Sequence, residues 1–163
     1  PFIFIMIWFE LKLLFTEAFM NDHDLHYLLL VGQHHSNRIM TRRTRRLELM
    51  PGQPKILEFL YENDGCTQKE IGKGCLLDKS TVTSLLSRME ACGLITKETD
   101  GSDRRSVCIR LTEKGISLAK KVRRFGSETD QLGWKDITEP EKKAFIATFQ
   151  KIIRNLDEWE DMP

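Results

Sequence analysis

A short segment opened by a capping box, a following segment with a clean apolar stripe, and an alternating hairpin occur in that order in the middle of the chain. Together they predict a winged helix-turn-helix. The expected fold class is mainly α with a small β-wing: a winged helix-turn-helix reader flanked by N- and C-terminal dimerisation helices. The flanking segments carry more apolar surface than one small reader can cover, so burial between two copies is the expected solution.

Residues 2 to 9, FIFIMIWF, are continuously apolar. Glu10, Lys12 and Glu17 interrupt the run before it reaches the roughly 20 residues that span a bilayer. Pro1 and Phe2 supply no basic start for a secretory signal. Met20 stands just ahead of a polar helix start, so residues 1–19 read as an apolar extension upstream of the natural start or as an extra helix on the arms. No membrane partner is expected, and the expected location is cytoplasmic.

Residues 20–50 form the expected N-terminal dimerisation helix. Leu25, Leu28, Leu29, Gly32, Ile39 and Leu47 fall largely on one helical face, and Asn21 or Asp22 can cap it. Met50-Pro51-Gly52 punctuates the chain, and residues 51–115 form the expected reader. Pro54 suits the first turn of a helix running through Ile56, Leu57, Phe59, Leu60 and Tyr61, which Asn63-Asp64-Gly65 ends. Thr67 with Glu70 makes a capping box for a short helix containing Ile71, which Gly72 and Gly74 weaken toward Cys75. Asp78 caps the next helix, whose stripe is Val82, Leu85, Leu86 and Met89, and Gly93 stops it. Leu94 to Thr99, a turn at Asp100-Gly101, and Ser106 to Leu111 alternate as a hairpin. Residues 116–163 form the C-terminal dimerisation helices. One begins at Thr112-Glu113 and carries Ile116, Ala119, Val122, Phe125 and Leu132; the other begins near Thr138-Glu139-Pro140 and carries Phe145, Phe149, Ile152, Ile153 and Leu156.

The formal charge of the 163-residue chain is only +1, so affinity for a polyanion must come from the distribution of charge. Arg38, Arg42, Arg43, Arg45 and Arg46 against Glu48 give +4 over 38 to 48, whereas four basic and six acidic residues give −2 over 139 to 163. The middle of the chain is where a polyanion partner belongs. Cys66, Cys75, Cys92 and Cys108 form no C-x-x-C pair and have no histidine at zinc-ligand spacing, so they read as small buried hydrophobes of a reduced compartment. Hydrolase, P-loop, zinc-protease and dinucleotide fingerprints are absent, which argues against an enzyme and against a cofactor.

The capped helix exposes Lys79, Ser80, Thr81, Thr83, Ser84, Ser87 and Arg88 opposite its stripe. Short hydroxylated side chains let a helix approach base edges in the major groove, while the two cations answer phosphates. Arg104 and Arg105 follow the hairpin tip, where an arginine suits a narrow minor groove, and Asp103 can orient a guanidinium by a charge-assisted bond. Double-stranded DNA is the expected partner.

The run LLLDKSTVTSLLSRMEACGLITKETDGSDRRSVCIRLTEKG, with its D-x-R-x-x-x-x-x-L-T pattern at Asp103, Arg105, Leu111 and Thr112, resembles the MarR family of bacterial transcriptional regulators. By order of helices the resemblance covers roughly residues 21 to 160, with residue-level motifs in 52 to 115. It implies a homodimer with interlocked end helices, one helix of each subunit in the major groove and one wing in the minor groove. Arg105 would then be the minor-groove arginine, Asp103 its orienter, and Arg104 a phosphate contact. It also implies a repressor of a pseudo-palindromic operator, released by a small aromatic effector. Oxidation of a cysteine in the first long helix, used by some members, is not expected, since that helix has none. A split-histidine zinc site is not expected either, because His23, His26, His34 and His35 all lie in the first helix, and no metal is assigned. The alternative function is a winged-helix protein-interaction module without DNA binding.

Overall fold

The computed structural model describes residues 24–99 and 107–160. The expectations for residues 1–19, a cap at Asn21 or Asp22, the turn at Asp100-Gly101, and Asp103, Arg104, Arg105 and Ser106 lie outside the described residues. The chain divides into two compact units at Glu48 and Leu49.

In the first unit, helix α1 (Leu25–Thr44) follows Asp24, whose side chain makes no cap bond, and passes into a single 3-10 turn at Arg45–Leu47. Thr44 Oγ1 donates to the Met40 carbonyl one turn back (2.9 Å), so this buried hydroxyl is satisfied within the helix. Arg38, Arg42, Arg45 and Arg46 are exposed, while Arg43 is half-buried. A left-handed Glu48 (φ 57°) ends the unit.

The second unit contains α2 (Gln53–Glu62), β1 (Cys66–Thr67), α3 (Gln68–Cys75), α4 (Lys79–Ala91), β2 (Ile95–Thr99), β3 (Val107–Leu111), α5 (Glu113–Gly133) and α6 (Glu139–Glu160). The sheet is antiparallel in the order β1-β3-β2, with Ile95 opposite Leu111 and Thr99 opposite Val107. Strand β1 pairs Cys66 with Ile109 and Thr67 with Cys108, a third strand that two residues are too short to announce by alternation. No described helix is long and apolar enough to cross a membrane.

The core draws on all the central elements. Ile56, Leu57 and Leu60 of α2, Ile71 of α3, Val82, Leu86 and Met89 of α4, Ile95 and Ile109 of the sheet, and Ala119 and Val122 of α5 are all essentially inaccessible. Each large aliphatic buried in this way contributes about 1.5–3 kcal/mol against unfolding. Helix α5, read from sequence as the start of an arm, packs along α2. There Arg123 lies 4.8 Å over the Tyr61 ring and pairs with Glu62 at 2.7 Å. Glu58 faces the same seam, and burial raises its carboxyl above the usual range against the opposing pull of Arg123.

Helix α3 runs through Gly72 and Gly74 to Cys75. Gly74 lies against the ring of Phe59, where a Cβ would fall 2.0 Å from Cε2, so the glycine is the space that lets α2 and α3 approach. Lys55 of α2 then donates to the Cys75 carbonyl (2.8 Å), closing the helix end from outside.

The end of α4 ties the unit together. Gly93 (φ 66°) turns the chain left-handed, its N–H bonds the Glu90 carbonyl (2.9 Å), and the Leu94 N–H bonds the Met89 carbonyl (2.8 Å), a Schellman closure. Thr112 donates its hydroxyl to the Gly93 carbonyl (2.8 Å) while accepting from the Gly115 N–H (3.0 Å), so it both caps α5 and holds the end of α4. A Cβ on Gly115 would lie 2.1 Å from the Leu94 carbonyl oxygen. Gly115→Ala is therefore expected to destabilise the unit by about 3 kcal/mol, the upper end for overpacking, read as a lower denaturant midpoint at unchanged slope.

Candidate nucleic-acid interface

Helix α4 is held by one face and offers the other. Val82, Leu85, Leu86 and Met89 recur at helical spacing and are buried, which fixes the rotation of the helix about its axis. Gly52, at φ 89°, brings the start of α2 so close that a Cβ there would lie 2.7 Å from Leu85 Cδ1. On the opposite side Lys79, Ser80, Thr83, Ser84, Ser87 and Arg88 line one open concavity of about 760 Å³. Six of the seven α4 residues singled out from sequence are thus brought together. Thr81 is not among those lining it.

The polar groups on this side have different duties. Asp78 caps the helix: Oδ1 accepts from the Thr81 N–H (2.8 Å) and from the Ser80 hydroxyl, and Oδ2 accepts from the Thr81 hydroxyl (2.6 Å). These bonds, the Ser80 and Thr81 hydroxyls foremost, hold the Asp78 carboxyl far below the usual carboxylate range. Thr83 donates back to the Lys79 carbonyl (2.7 Å) and accepts from Gln68 Nε2. Among the described residues, the Ser84 and Ser87 hydroxyls have no protein partner. Arg88 Nη1 rests 3.7 Å from the Met50 sulfur, a contact too weak to hold a guanidinium against an anion.

The root of the wing is clamped by a residue pair that sequence reasoning missed. Asp64, in the turn after α2, accepts from the Leu111 N–H through Oδ1 (2.9 Å) and from Arg110 Nη1 through Oδ2 (3.0 Å). Glu98 of β2 accepts from Arg110 Nε (3.1 Å), so one guanidinium joins the turn, β2 and β3. These carboxylates, Asp64 foremost, raise the Arg110 pKa further above its already high ordinary value. Gly65 (φ 79°) leaves room for the guanidinium, which a Cβ there would approach to 2.9 Å. A spacing of 46 residues between the partners hides such a pair from any local pattern. Gln68, Lys69 and Lys73 of α3, also missed, line a neighbouring concavity with Lys79.

Because the folded pKa of Asp78 is depressed, its cap stabilises α4 fully above the ordinary aspartate pKa and loses that stabilisation as pH falls toward the lower folded value. Asp78→Ala is expected to lower the thermal midpoint near neutral pH. The gap to the unmodified chain should narrow as pH drops below about 4, as followed by circular dichroism.

A family model described as the MarR family matches residues 48–106. The HTH-type transcriptional regulator TtmR of Methylorubrum extorquens is 36% identical over 101 residues, 62% of this chain and 52% of that protein, so the match spans about half of that relative's length. The uncharacterized HTH-type transcriptional regulator YwhA of Bacillus subtilis is 32% identical over 99 residues, 61% of this chain and 71% of that protein. Among solved structures, the Staphylococcus aureus MepR–DNA complex superposes with a TM-score of 0.76 at 26% identity, covering 84% of this chain and 99% of that one. These matches agree with the winged-helix fold, and the chain belongs to the MarR family.

Proposed function

We propose that the chain is a homodimeric, DNA-binding transcriptional repressor of a pseudo-palindromic operator, released by a small aromatic effector. The observation that carries the DNA reading is the outer face of α4. Two unengaged hydroxyls, Ser84 and Ser87, and two cations, Lys79 and Arg88, share one concavity opposite a buried stripe. A helix so held presents short donors to base edges and longer cations to the phosphates on either side. That a MepR–DNA complex is among the similar solved structures supports the same reading.

Homodimerisation is supported by α6. In one copy Phe145, Ile153, Leu156 and Trp159 are 54%, 52%, 50% and 70% exposed. Four large apolar side chains along one helix form a patch that a monomer rarely leaves in water, and a second copy covers it with the same surface. Repression and effector release rest on the family likeness alone.

The hydrogen bonds divide the roles more finely. Ser84 and Ser87 are proposed as base readers, with Lys79 and Arg88 on phosphates. Ser80 and Thr81 serve the cap, and Thr83 offers its methyl group, since its hydroxyl already donates and accepts. Arg105 is proposed as the minor-groove arginine, Asp103 as its orienter and Arg104 as a phosphate contact.

Selection of genomic fragments at low salt is expected to enrich an inverted repeat with half-sites about one helical turn apart. No enrichment would overturn the proposal in favour of a protein-interaction module. On the selected operator, Ser84→Ala and Ser87→Ala are each expected to weaken binding about five-fold, the value of one hydrogen bond, while random duplex binds unchanged. Ser80→Ala should instead lower the thermal midpoint through the cap.

A further inference from the structure

Two helices of the second unit end in the same backbone closure, with different residues at its left-handed position. At the end of α4 that residue is Gly93. At the end of α3 it is Leu76, at φ 50° and ψ 51°. There the Leu76 N–H bonds the Lys73 carbonyl (3.3 Å) and the Leu77 N–H bonds the Gly72 carbonyl (2.9 Å). Glycine adopts this conformation without strain, whereas a Cβ there crowds the following carbonyl. Among the described residues Glu48 and Asp136 are the other non-glycines at positive φ, and Leu76 is the apolar one of the three.

The side chain recovers nothing from the fold. Cys75 before it is buried and Leu77 after it is half-buried. Leu76 is 86% exposed, the highest value for a large apolar side chain among the described residues. A strained backbone and an apolar side chain in water are two separate costs at one position, and glycine would remove both. A surface leucine in an ordinary conformation needs no explanation. One held left-handed points to a contact outside the chain.

We propose that Leu76 is a specificity-determining residue of the DNA interface, its side chain packing on the C5-methyl group of a thymine in the major groove. The proposal rests on the DNA-binding reading and deepens it with a preference for one base. Placement favours this partner. Leu76 lies in the turn of the helix-turn-helix, two residues before the Asp78 cap, and the helix so capped opens with Lys79 and Ser80 on the reading face. In this arrangement the N-terminal residues of the second helix meet base edges, so the turn that precedes them lies at the groove. A leucine has neither charge nor donor for a phosphate, and the thymine methyl is the apolar group that the base edges display there.

The test replaces single thymines of the selected operator with deoxyuridine, which removes only that methyl group, and measures binding of the full chain and of its Leu76→Gly variant. At one thymine in each half-site the replacement is expected to weaken the unmodified chain about fourfold, the value of one buried methyl. The same replacement should leave Leu76→Gly unchanged. On the unsubstituted operator Leu76→Gly should bind about fourfold more weakly per half-site, while affinity for random duplex stays within about twofold. Its thermal midpoint is expected to rise by about 2 °C, since the strain released exceeds the entropy that glycine adds to the unfolded chain. Leu76→Met, which keeps an apolar side chain of similar volume, should retain the sensitivity to deoxyuridine.

If there is no thymine at which deoxyuridine weakens the unmodified chain and spares Leu76→Gly, the proposal is overturned. A lower midpoint for Leu76→Gly would show that the leucine serves the fold. Lost regulation in cells with operator binding unchanged would assign it to a protein partner. Either result also overturns the proposal. Failure of the unmodified chain to bind any duplex at low salt would instead defeat the DNA-binding reading itself.

Discussion

The buried stripe of α4 is the constraint on which the rest of the second unit depends. Val82, Leu86 and Met89 are almost wholly removed from water, and Leu85 nearly so. With 3.6 residues per turn, burying those positions leaves Lys79, Ser80, Thr83, Ser84, Ser87 and Arg88 no direction but outward. Contacts from the neighbouring elements support that rotation. Gln68 braces it from α3, the approach of Gly52 to Leu85 braces it from α2, and Gly93 with Thr112 holds its far end against the wing and α5. Loss of one large stripe side chain would cost about 2–5 kcal/mol and, with it, the definition of the outward face.

Charge is handled locally. A net +1 conceals a basic outer surface on α3 and α4, built from Lys69, Lys73, Lys79 and Arg88, whose neighbouring carboxylates are spent on caps. Glu70 and Asp78 each neutralise helix N–H groups, so they stabilise the fold without pairing with the cations beside them. The wing root reverses this arrangement. There Arg110 is paired with both Asp64 and Glu98 and joins the turn after α2 to the two hairpin strands. Two kinds of basic residue thus coexist in one unit, and their partners tell them apart.

Much of this was legible in the sequence. The stripe and cap of α4, the capping box at Thr67 and Glu70, the two long hairpin strands and the helix starts at Thr112 and Thr138 are local patterns, and local patterns can be read one element at a time. Strand β1 was not legible, because two residues carry no period, and neither was the Asp64–Arg110 clamp, which joins distant segments. Gly72 and Gly74 read as weakening the helix, and propensity could not show the Phe59 ring packed against Gly74. The bonds of the Ser80 and Thr81 hydroxyls to Asp78 were not legible either, because a hydroxyl near a helix start shows its type in sequence but not its partner.

The central claim is that the outward face of α4 meets base edges in the major groove. Methylation interference on the selected operator tests it directly, since methyl groups on guanine N7 project into that groove. The account predicts two clusters of interfering guanines about one helical turn apart, with interference at a contacted guanine reduced when Ser84 or Ser87 is alanine. An operator bound with undiminished affinity after full N7 methylation would contradict it.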